Sequence, residues 1–411
     1  MQLNTSLMLR RKTFKYLLIA LIWCQTILLR YLRAILMRLP VIGAYPDVLI
    51  MLLYAVVILM ALPTMRIKPI DLLGLICVLL VYILSPMFFS DTRPYWEENT
   101  VNFVTSVLPL YIVGVDIGQN QEDQEEIVYL LYRLSLVTIV ARLLFYYTSG
   151  TAMTEVQSKY AGDMDGAYNL LPHLCLVMYY VVKRKNIVNI AVLAVGSFYL
   201  LFLGTRGAVL MEIICFVLMI LFFAKWKYKE IKVILLATAG IVYLYSPLFE
   251  MTMLGLASLA EKFGLSVRIF NQFLSGALNV STGRDAIAET LYAALAENPM
   301  GYGIYGDWVL ADTYAHKIYL EMWIHYGVFL GTILCGALML TPVRAFAIEK
   351  NADMRGFLIV LYCSGALKLF LSSSYLREGL LFLLLGLSVA LLRKGTRRKM
   401  VGIAGDKILK K

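Results

Sequence analysis

The chain has 411 residues, of which 60% are hydrophobic, and its mean hydropathy is +0.75. A soluble globular chain of this length could not cover so much apolar material with polar surface, so the composition excludes a soluble class and indicates a polytopic membrane protein. The net charge of +11 does not indicate nucleic-acid binding, because the lysines and arginines fall in short clusters between apolar segments rather than in a polar domain.

Taken in order, the chain contains twelve apolar segments long enough to cross a bilayer. They lie at about 14–36, 44–65, 70–89, 100–118, 126–147, 167–183, 186–204, 207–224, 230–248, 316–341, 356–372 and 378–393. The expected fold is therefore an all-α polytopic membrane protein that forms a single membrane domain over residues 1–411. The first apolar segment follows basic residues at 10–12 but has no small-residue cleavage site, so we expect a retained span rather than a signal peptide.

Basic residues mark alternate connections between these segments, as the positive-inside rule requires of cytoplasmic loops. The basic connections are 66–68, 183–185, 225–229 and 344–355, and the tail adds five basic residues between 393 and 399. Both termini are therefore expected to be cytoplasmic. The acidic connection at 119–126 does not alter this orientation, because acidic residues weigh little in the rule.

The connections expected on the opposite face carry the unusual residues, and the largest of them is the extracytoplasmic loop 249–315. Within it, a Thr-Gly-Arg sequence ending at Arg284 precedes an amphipathic run, which an Asn-Pro pair at 298–299 ends. A Gly-rich run at 301–306 then predicts a tight turn before His316 opens the next apolar segment. We expect this loop to form one wall of a cavity at the membrane surface.

Each arginine on this face requires a specific explanation, because the positive-inside rule depletes basic residues there, and Arg206 and Arg284 are the clearest cases. Arg206 lies in a Gly-Thr-Arg-Gly sequence between two apolar segments, where the glycines allow the backbone to approach a ligand closely. A guanidinium stays charged and offers paired donors that match phosphate oxygens. The alternative for Arg206 is a side chain that extends from a helix end to the interface. The alternative for Arg284 is a first-turn residue of a surface helix capped by Ser281 or Thr282.

The three histidines differ in position. His173 and His325 fall within or near the start of apolar segments, and His325 shares a helical face with Glu321, so both are interpreted as packing or interhelical hydrogen-bonding residues. His316 instead stands where the large loop meets the membrane, beside Lys317. Nearby basic groups favour a neutral imidazole, which can take a proton from a hydroxyl as a general base.

No motif in the sequence predicts a metal or an organic cofactor. The six cysteines lie in apolar segments without a CxxC pair, and no phosphate-loop or dinucleotide-binding sequence occurs at a usable place. The expected external carboxylates show no spacing that identifies a paired-carboxylate site; they include Glu97, Glu98, Asp163, Asp165 and Asp307. Glu212 and Lys368 lie inside apolar segments, where an ionisable group usually faces a cavity or pairs with a partner.

These features, taken in order, resemble the O-antigen ligase and polysaccharide polymerase superfamily. They are an arginine in an external Gly-Thr-Arg-Gly turn, a large loop with Thr-Gly-Arg, a helix ending in Glu-Asn-Pro, a Gly-Tyr-Gly turn and a histidine opening the next span. The resemblance is specific over about residues 197–330 and extends to the rest of the chain by topology alone. Lys317 departs from the superfamily, whose members often carry asparagine after the histidine.

The resemblance implies a fold of the glycosyltransferase C type in the bacterial inner membrane. It also implies an enzyme that takes an undecaprenyl-pyrophosphate-linked glycan and transfers it, without a metal, to an acceptor hydroxyl outside the cytoplasm. By the same resemblance, Arg206 and Arg284 contact the pyrophosphate, and His316 acts on the acceptor or the leaving group.

Within this superfamily, a polymerase of capsule, exopolysaccharide or O-antigen repeat units is favoured, because the loop is compact and no acceptor-specific module is visible. One alternative is a ligase that passes the finished glycan to a lipid A core or another acceptor. An alternative from a different class is a non-enzymatic translocase of lipid-linked glycans, although that function should distribute ionisable residues along a through-membrane cavity. Besides the bilayer, a chain-length regulator and a repeat-unit flippase are candidate partners.

Overall fold

A computed structural model describes residues 2–24, 67–148, 164–262, 266–275 and 283–409, together with short stretches between residues 32 and 65. Every regular element over these residues is a helix, which agrees with an all-α membrane protein. Half of the predicted segment at 44–65 lies outside the described residues. So do the end of the first predicted segment and the connection at 149–163.

The helices form three consecutive groups along the chain. The first group is α1 (Gln2–Trp23), α2 (Pro69–Phe88), α3 (Arg93–Asn102), α4 (Leu108–Gln119) and α5 (Gln121–Thr148). The second is α6 (Met164–Arg184), α7 (Ile187–Phe202), α8 (Arg206–Phe223), α9 (Lys229–Leu244), α10 (Pro247–Lys262) and α11 (Arg268–Leu274). The third is α12 (Arg284–Glu297), α13 (Gly306–Ala311), α14 (Ile318–Tyr326), α15 (Val328–Ile348), α16 (Ala352–Leu361) and α17 (Gly379–Leu409).

The single domain expected from the sequence packs as two compact units. The first unit contains residues 1–130 and 283–411, and the second contains residues 131–282, so the boundary falls within α5. In the first unit α4 and α17 pack most closely, because glycines remove side chains from their interface. A Cβ placed on Gly114 or Gly386 would lie 2.2 or 2.0 Å from a carbonyl oxygen of the facing helix, which is the close backbone approach that small residues permit between membrane helices.

The second unit has its own apolar core. α6 lies at its centre, and fourteen of its residues, from Gly166 to Tyr180, are buried. His173 is among them and lies 3.2 Å from the hydroxyl of Ser135 through Nδ1, in the packing and hydrogen-bonding position interpreted from the sequence. Glu212 on α8 accepts a hydrogen bond from Ser197 on α7 at 2.5 Å, so this carboxyl also has a partner inside the unit.

Among the described residues, six helical stretches are long and apolar enough to cross a membrane. They are residues 69–88, 90–119, 122–144, 206–223, 328–348 and 379–396. A seventh arises if α9 and α10, which are bent by 75° relative to each other, count as one broken span. The described residues therefore support six or seven of the twelve predicted spans. α10 also shows that the beginning of the predicted loop 249–315 is an apolar helix.

The predicted span at 316–341 has the wrong bounds, because the helix breaks at Gly327. This residue has φ 79° and ψ 161° and separates α14 from α15. The backbone N–H of Val328 donates to the carbonyl oxygen of Pro299 at 2.9 Å, and a Cβ on Gly327 would lie 2.7 Å from the carbonyl oxygen of Met300. The loop before His316 thus packs against a break that only glycine accommodates, and the candidate span is residues 328–348.

The predicted span at 356–372 is also not a regular helix. α16 ends at Leu361, and the chain continues through a π turn at 362–366 and a 3₁₀ turn at 367–370. The change in winding accompanies a buried ion pair between Lys368 and Glu378. Lys368 therefore has the charged partner that an ionisable residue in an apolar segment usually needs.

The orientation of α15 gives a direct test of topology. Met300 and Lys350 are both exposed and lie before and after this helix, and the positive-inside rule predicts that they face opposite compartments. In a background with the exposed Cys77 replaced by serine, Met300→Cys should react with a membrane-impermeant maleimide from outside, and Lys350→Cys only after permeabilisation. Equal labelling of both cysteines in intact cells would contradict the orientation.

Candidate functional site

The site is built around the beginning of α12, where Arg284 follows a left-handed Gly283. Gly283 has φ 81° and stands at the N-cap of the helix, a conformation that glycine adopts without strain. Arg284 is half-buried, and its Nη1 donates to the carbonyl oxygen of Leu371 at 2.7 Å. This bond fixes the direction of the guanidinium. Ser281 and Thr282, the predicted capping residues, lie outside the described residues.

His316 lies within the electrostatic reach of Arg284. Burial, and then the positive charge of Arg284, lower the pKa of His316 to about 4, while the carboxylate of Asp307 acts in the opposite direction. The imidazole is therefore neutral at pH 7. Its Nδ1 is buried and has no hydrogen-bond partner among the residues that the structure describes. A neutral imidazole with a buried, unpaired nitrogen can accept a proton from a bound group.

The backbone at His316 is held in an uncommon conformation. Its φ is 58°, in the left-handed region that only a few per cent of non-glycine residues occupy. The preceding residue, Ala315, donates its backbone N–H to Oδ2 of Asp307 at 2.9 Å. Asp307 is fully buried and therefore anchors the strained turn from its inner side.

Asp307 belongs to a buried polar cluster with Glu321 and His325. Nε2 of His325 lies 3.0 Å from Oδ1 of Asp307, and Nδ1 lies 2.9 Å from the hydroxyl of Tyr375. The backbone N–H of Tyr305 also donates to Nε2 at 3.3 Å, so both ring nitrogens of His325 are held inside the cluster. Glu321 accepts from the hydroxyl of Ser374 and from the backbone N–H of Tyr375. Burial, and then the charge of Asp307, raise the pKa of Glu321 well above its ordinary value, which favours the neutral acid.

The same three side chains have the chemistry of metal ligands. One ligand atom from each of Asp307, Glu321 and His325 lies within 4.8 Å of the others. All the carboxylate oxygens and both ring nitrogens already have hydrogen-bond partners, and the three residues are at most 4% exposed. A cation would have to displace these bonds in a closed site, so we interpret the cluster as the support of the loop that carries His316.

The irregular segment after α16 contacts both parts of the site. Leu371 accepts the hydrogen bond from Arg284, whereas Ser374 and Tyr375 contact the buried cluster. Ser373, between them, has φ 76°. One non-helical segment therefore connects the arginine to the support of His316.

Asp307→Asn tests this support. The amide keeps the size of the side chain but weakens the bonds to His325 and Ala315, so the turn at His316 should loosen. We expect a loss of about 1–3 kcal/mol in the free energy of unfolding and a roughly ten- to hundredfold slower reaction at the site. Thermal unfolding and turnover measured on the same purified sample check this. The control is Glu289→Gln, an exposed carboxylate on α12, and equal effects of the two substitutions would contradict the role of Asp307.

Arg206, the third residue predicted from the sequence, lies in the second unit. It is the first residue of α8, is half-buried and follows Gly204, whose φ is 73°. The predicted turn with a glycine hinge is therefore present. The structure brings Arg284 and His316 together within the first unit, whereas Arg206 is linked to them by the sequence resemblance alone.

Sequence reasoning missed the supporting residues of the site. The sequence does not distinguish Asp307 from the other external carboxylates, and it gives no reason to choose Tyr375. The available signal was the spacing of Glu321 and His325, because two polar residues four positions apart in an apolar stretch indicate a shared partner.

Comparison of the chain with protein-family models, with curated proteins and with solved structures finds no match.

Proposed function

We propose that the protein is a glycosyltransferase that joins undecaprenyl-pyrophosphate-linked oligosaccharide repeat units on the extracytoplasmic face of the bacterial inner membrane. The observation that carries the proposal is a neutral His316 with an unpaired, buried ring nitrogen, whose pKa is lowered by burial and by the positive charge of Arg284. A fixed cation next to a proton acceptor suits a reaction in which an anionic group leaves as a hydroxyl attacks.

On the donor side, Arg284 stabilises the charge of the leaving group. The bond between the anomeric carbon and the pyrophosphate oxygen breaks through an oxocarbenium-like state, and both electrons of that bond go to the oxygen. A half-buried guanidinium stabilises the departing pyrophosphate more than the intact donor, because negative charge grows on it in the transition state. Arg206 is a second pyrophosphate ligand in this proposal, on the basis of the resemblance.

On the acceptor side, His316 receives the proton. The acceptor hydroxyl attacks the anomeric carbon, a new glycosidic bond forms, and the hydroxyl proton passes to the imidazole. The products are the elongated glycan and undecaprenyl pyrophosphate, and the proton then leaves His316 to solvent. No oxidant, reductant or further reactant is required.

An apolar cavity in the first unit supports a lipid-linked donor. Its volume is about 430 Å³, and it lies among side chains of α2, α4, α14, α15 and α17. Tyr326 and Tyr375 form a polar part of its wall, with their hydroxyl oxygens 2.9 Å apart. Because Tyr375 also contacts His325, the cavity adjoins the buried cluster. A cavity of this lining suits a hydrocarbon chain, and in the proposal it holds part of the prenyl tail.

The lowered pKa of His316 predicts how the rate of the reaction changes with pH. The base must be neutral, so kcat/KM should be level between about pH 5.5 and 8 and fall only as pH drops toward the pKa of about 4 of free His316. Bound pyrophosphate offsets the charge of Arg284 and raises the pKa of His316, so the acid limb of kcat should lie at higher pH than that of kcat/KM. An acid limb of kcat/KM near the ordinary histidine value would contradict a desolvated base.

The class of reaction is tested with the purified protein and a synthetic undecaprenyl-pyrophosphate repeat unit. A ladder of products without any added acceptor is the expected result and identifies a polymerase. Transfer only after addition of lipid A core would identify a ligase instead. Movement of the donor across a liposome bilayer without bond formation would identify a translocase and contradict the proposed reaction.

A further inference from the structure

A row of aromatic rings leads across the first unit to His316. The ring centroids of Tyr95 and Trp308 are 5.7 Å apart, those of Trp308 and Tyr314 are 6.4 Å apart, and those of Tyr314 and His316 are 4.0 Å apart. Tyr95, Trp308 and Tyr314 are half-buried rather than part of the core. The row therefore forms a partly accessible aromatic strip that ends at the imidazole.

Charged and polar side chains flank this strip. The guanidinium of Arg377 lies 4.9 Å from the centroid of the Trp308 ring, and its Nη2 donates to Oδ1 of Asn99 at 2.9 Å. The hydroxyl of Tyr95 donates to the exposed Asp312 at 3.3 Å. Polar groups therefore lie against two of the three rings of the strip.

We propose that Tyr95, Trp308 and Tyr314 form an extended subsite that holds successive sugar rings of an oligosaccharide next to His316. The inference rests on the proposed function and deepens it, because it assigns the recognition of the glycan to named residues. The C–H face of a pyranose is apolar and slightly positive, so it packs on the negative face of an aromatic ring. The sugar hydroxyls at the ring edge match guanidinium donors and carboxylate acceptors, which Arg377 and Asp312 supply.

The alternative explanation of such rings is the aromatic belt of a membrane protein, in which tryptophan and tyrosine lie at the level of the lipid headgroups. A belt follows the ends of the spans around the protein. Here the rings come from α3, from α13 and from the turn before α14, and they form one row that ends at His316. That arrangement favours a ligand that extends from the reacting centre.

The test uses binding without chemistry. Full-length protein in nanodiscs is applied to an array of bacterial oligosaccharides that carry neither lipid nor phosphate, and the strongest ligand is titrated by calorimetry. We expect the wild type to bind, Trp308→Ala to weaken the affinity roughly tenfold, and Trp308→Phe to retain most of it. The matched control is Trp226→Ala, which removes a 44% exposed tryptophan from a basic connection and should leave the affinity unchanged.

If Trp308→Ala is not stably folded, Arg377→Gln replaces it, because this exposed side chain can lose its charge without opening a core. A several-fold weaker affinity is then expected. Absence of binding by the wild type at millimolar glycan, or wild-type affinity in the tested Trp308 or Arg377 variant, would overturn the subsite. His316→Ala should still bind the free glycan. A protein that binds glycans through Trp308 but transfers none would keep the subsite and refute the transferase instead.

Discussion

His316→Ala is expected to lower the rate of glycan transfer roughly 10²–10⁴-fold, the usual contribution of a positioned acid–base group. Binding of the lipid-linked donor should largely survive, because in the proposed function arginine rather than the imidazole holds the pyrophosphate. Transfer under saturating donor and donor affinity, both measured at matched protein concentration, separate the two quantities.

The backbone conformation of His316 decides the best companion variant. At φ 58° an alanine is strained, whereas asparagine adopts the left-handed region more readily than most residues. His316→Asn therefore removes the proton acceptor while the turn keeps its shape. Transfer should be lost in both variants. If His316→Asn were active and His316→Ala inactive, the histidine would have a conformational role, and if both lost donor binding, it would be a further pyrophosphate ligand.

His325→Ala is not a neutral control for this experiment. The sequence places His325 about two and a half helical turns beyond His316, which suggests that it lies too deep to affect the external site. In the structure it contacts Asp307, which in turn holds the backbone beside His316. We therefore expect His325→Ala to lower both stability and transfer, as Asp307→Asn does.

Arg284→Lys is expected to lower transfer roughly 10²–10³-fold, the usual cost of removing one preorganised donor from a transition state. Lysine keeps the charge but loses the planar pair of donors that a pyrophosphate accepts. Arg284→Ala should be at least as damaging. Turnover is compared with that of Arg344→Lys, an exposed arginine at the far end of α15, which should behave as the wild type. Near-normal turnover of Arg284→Lys would mean that Arg284 has only a structural role, through its hydrogen bond to Leu371.

Arg206→Lys tests the part of the site that the resemblance alone supplies. If Arg206 is a second pyrophosphate ligand, its lysine variant should lose most of the transfer activity while expression stays normal. Normal turnover would support the alternative interpretation of Arg206, in which its side chain extends from a helix end to the membrane interface.

The sequence predicts the class of the fold well and the course of individual spans less well. Hydrophobic composition determines the all-α membrane class, because few other folds accommodate so much apolar sequence. The break at Gly327 could not be predicted from hydropathy, since both flanking stretches are apolar and the cause is a contact with the carbonyl oxygen of Met300. The irregular winding after Leu361 likewise accompanies a distant pair, Lys368 with Glu378.

For the candidate site, the sequence predicts the charged residues and the local turns. It does not predict the buried cluster that supports the loop carrying His316. The neutral state expected for His316 agrees with the direction in which burial and Arg284 shift its pKa. The role of Asp307 depends on its contact with His325, eighteen residues further along the chain. It also depends on Tyr375, which contacts His325 in the same cluster. Such long-range pairing has no periodic signal in a single sequence.

The most direct test of the proposed function measures the amount of undecaprenyl pyrophosphate that is released. Protein in liposomes is given a labelled undecaprenyl-pyrophosphate repeat unit, and the undecaprenyl pyrophosphate released is compared with the glycosidic bonds formed. The proposed function predicts one lipid pyrophosphate per bond, with both products lost together in His316→Asn and Arg284→Lys. Elongated glycan without release of lipid pyrophosphate, or release that is unchanged in both variants, would contradict it.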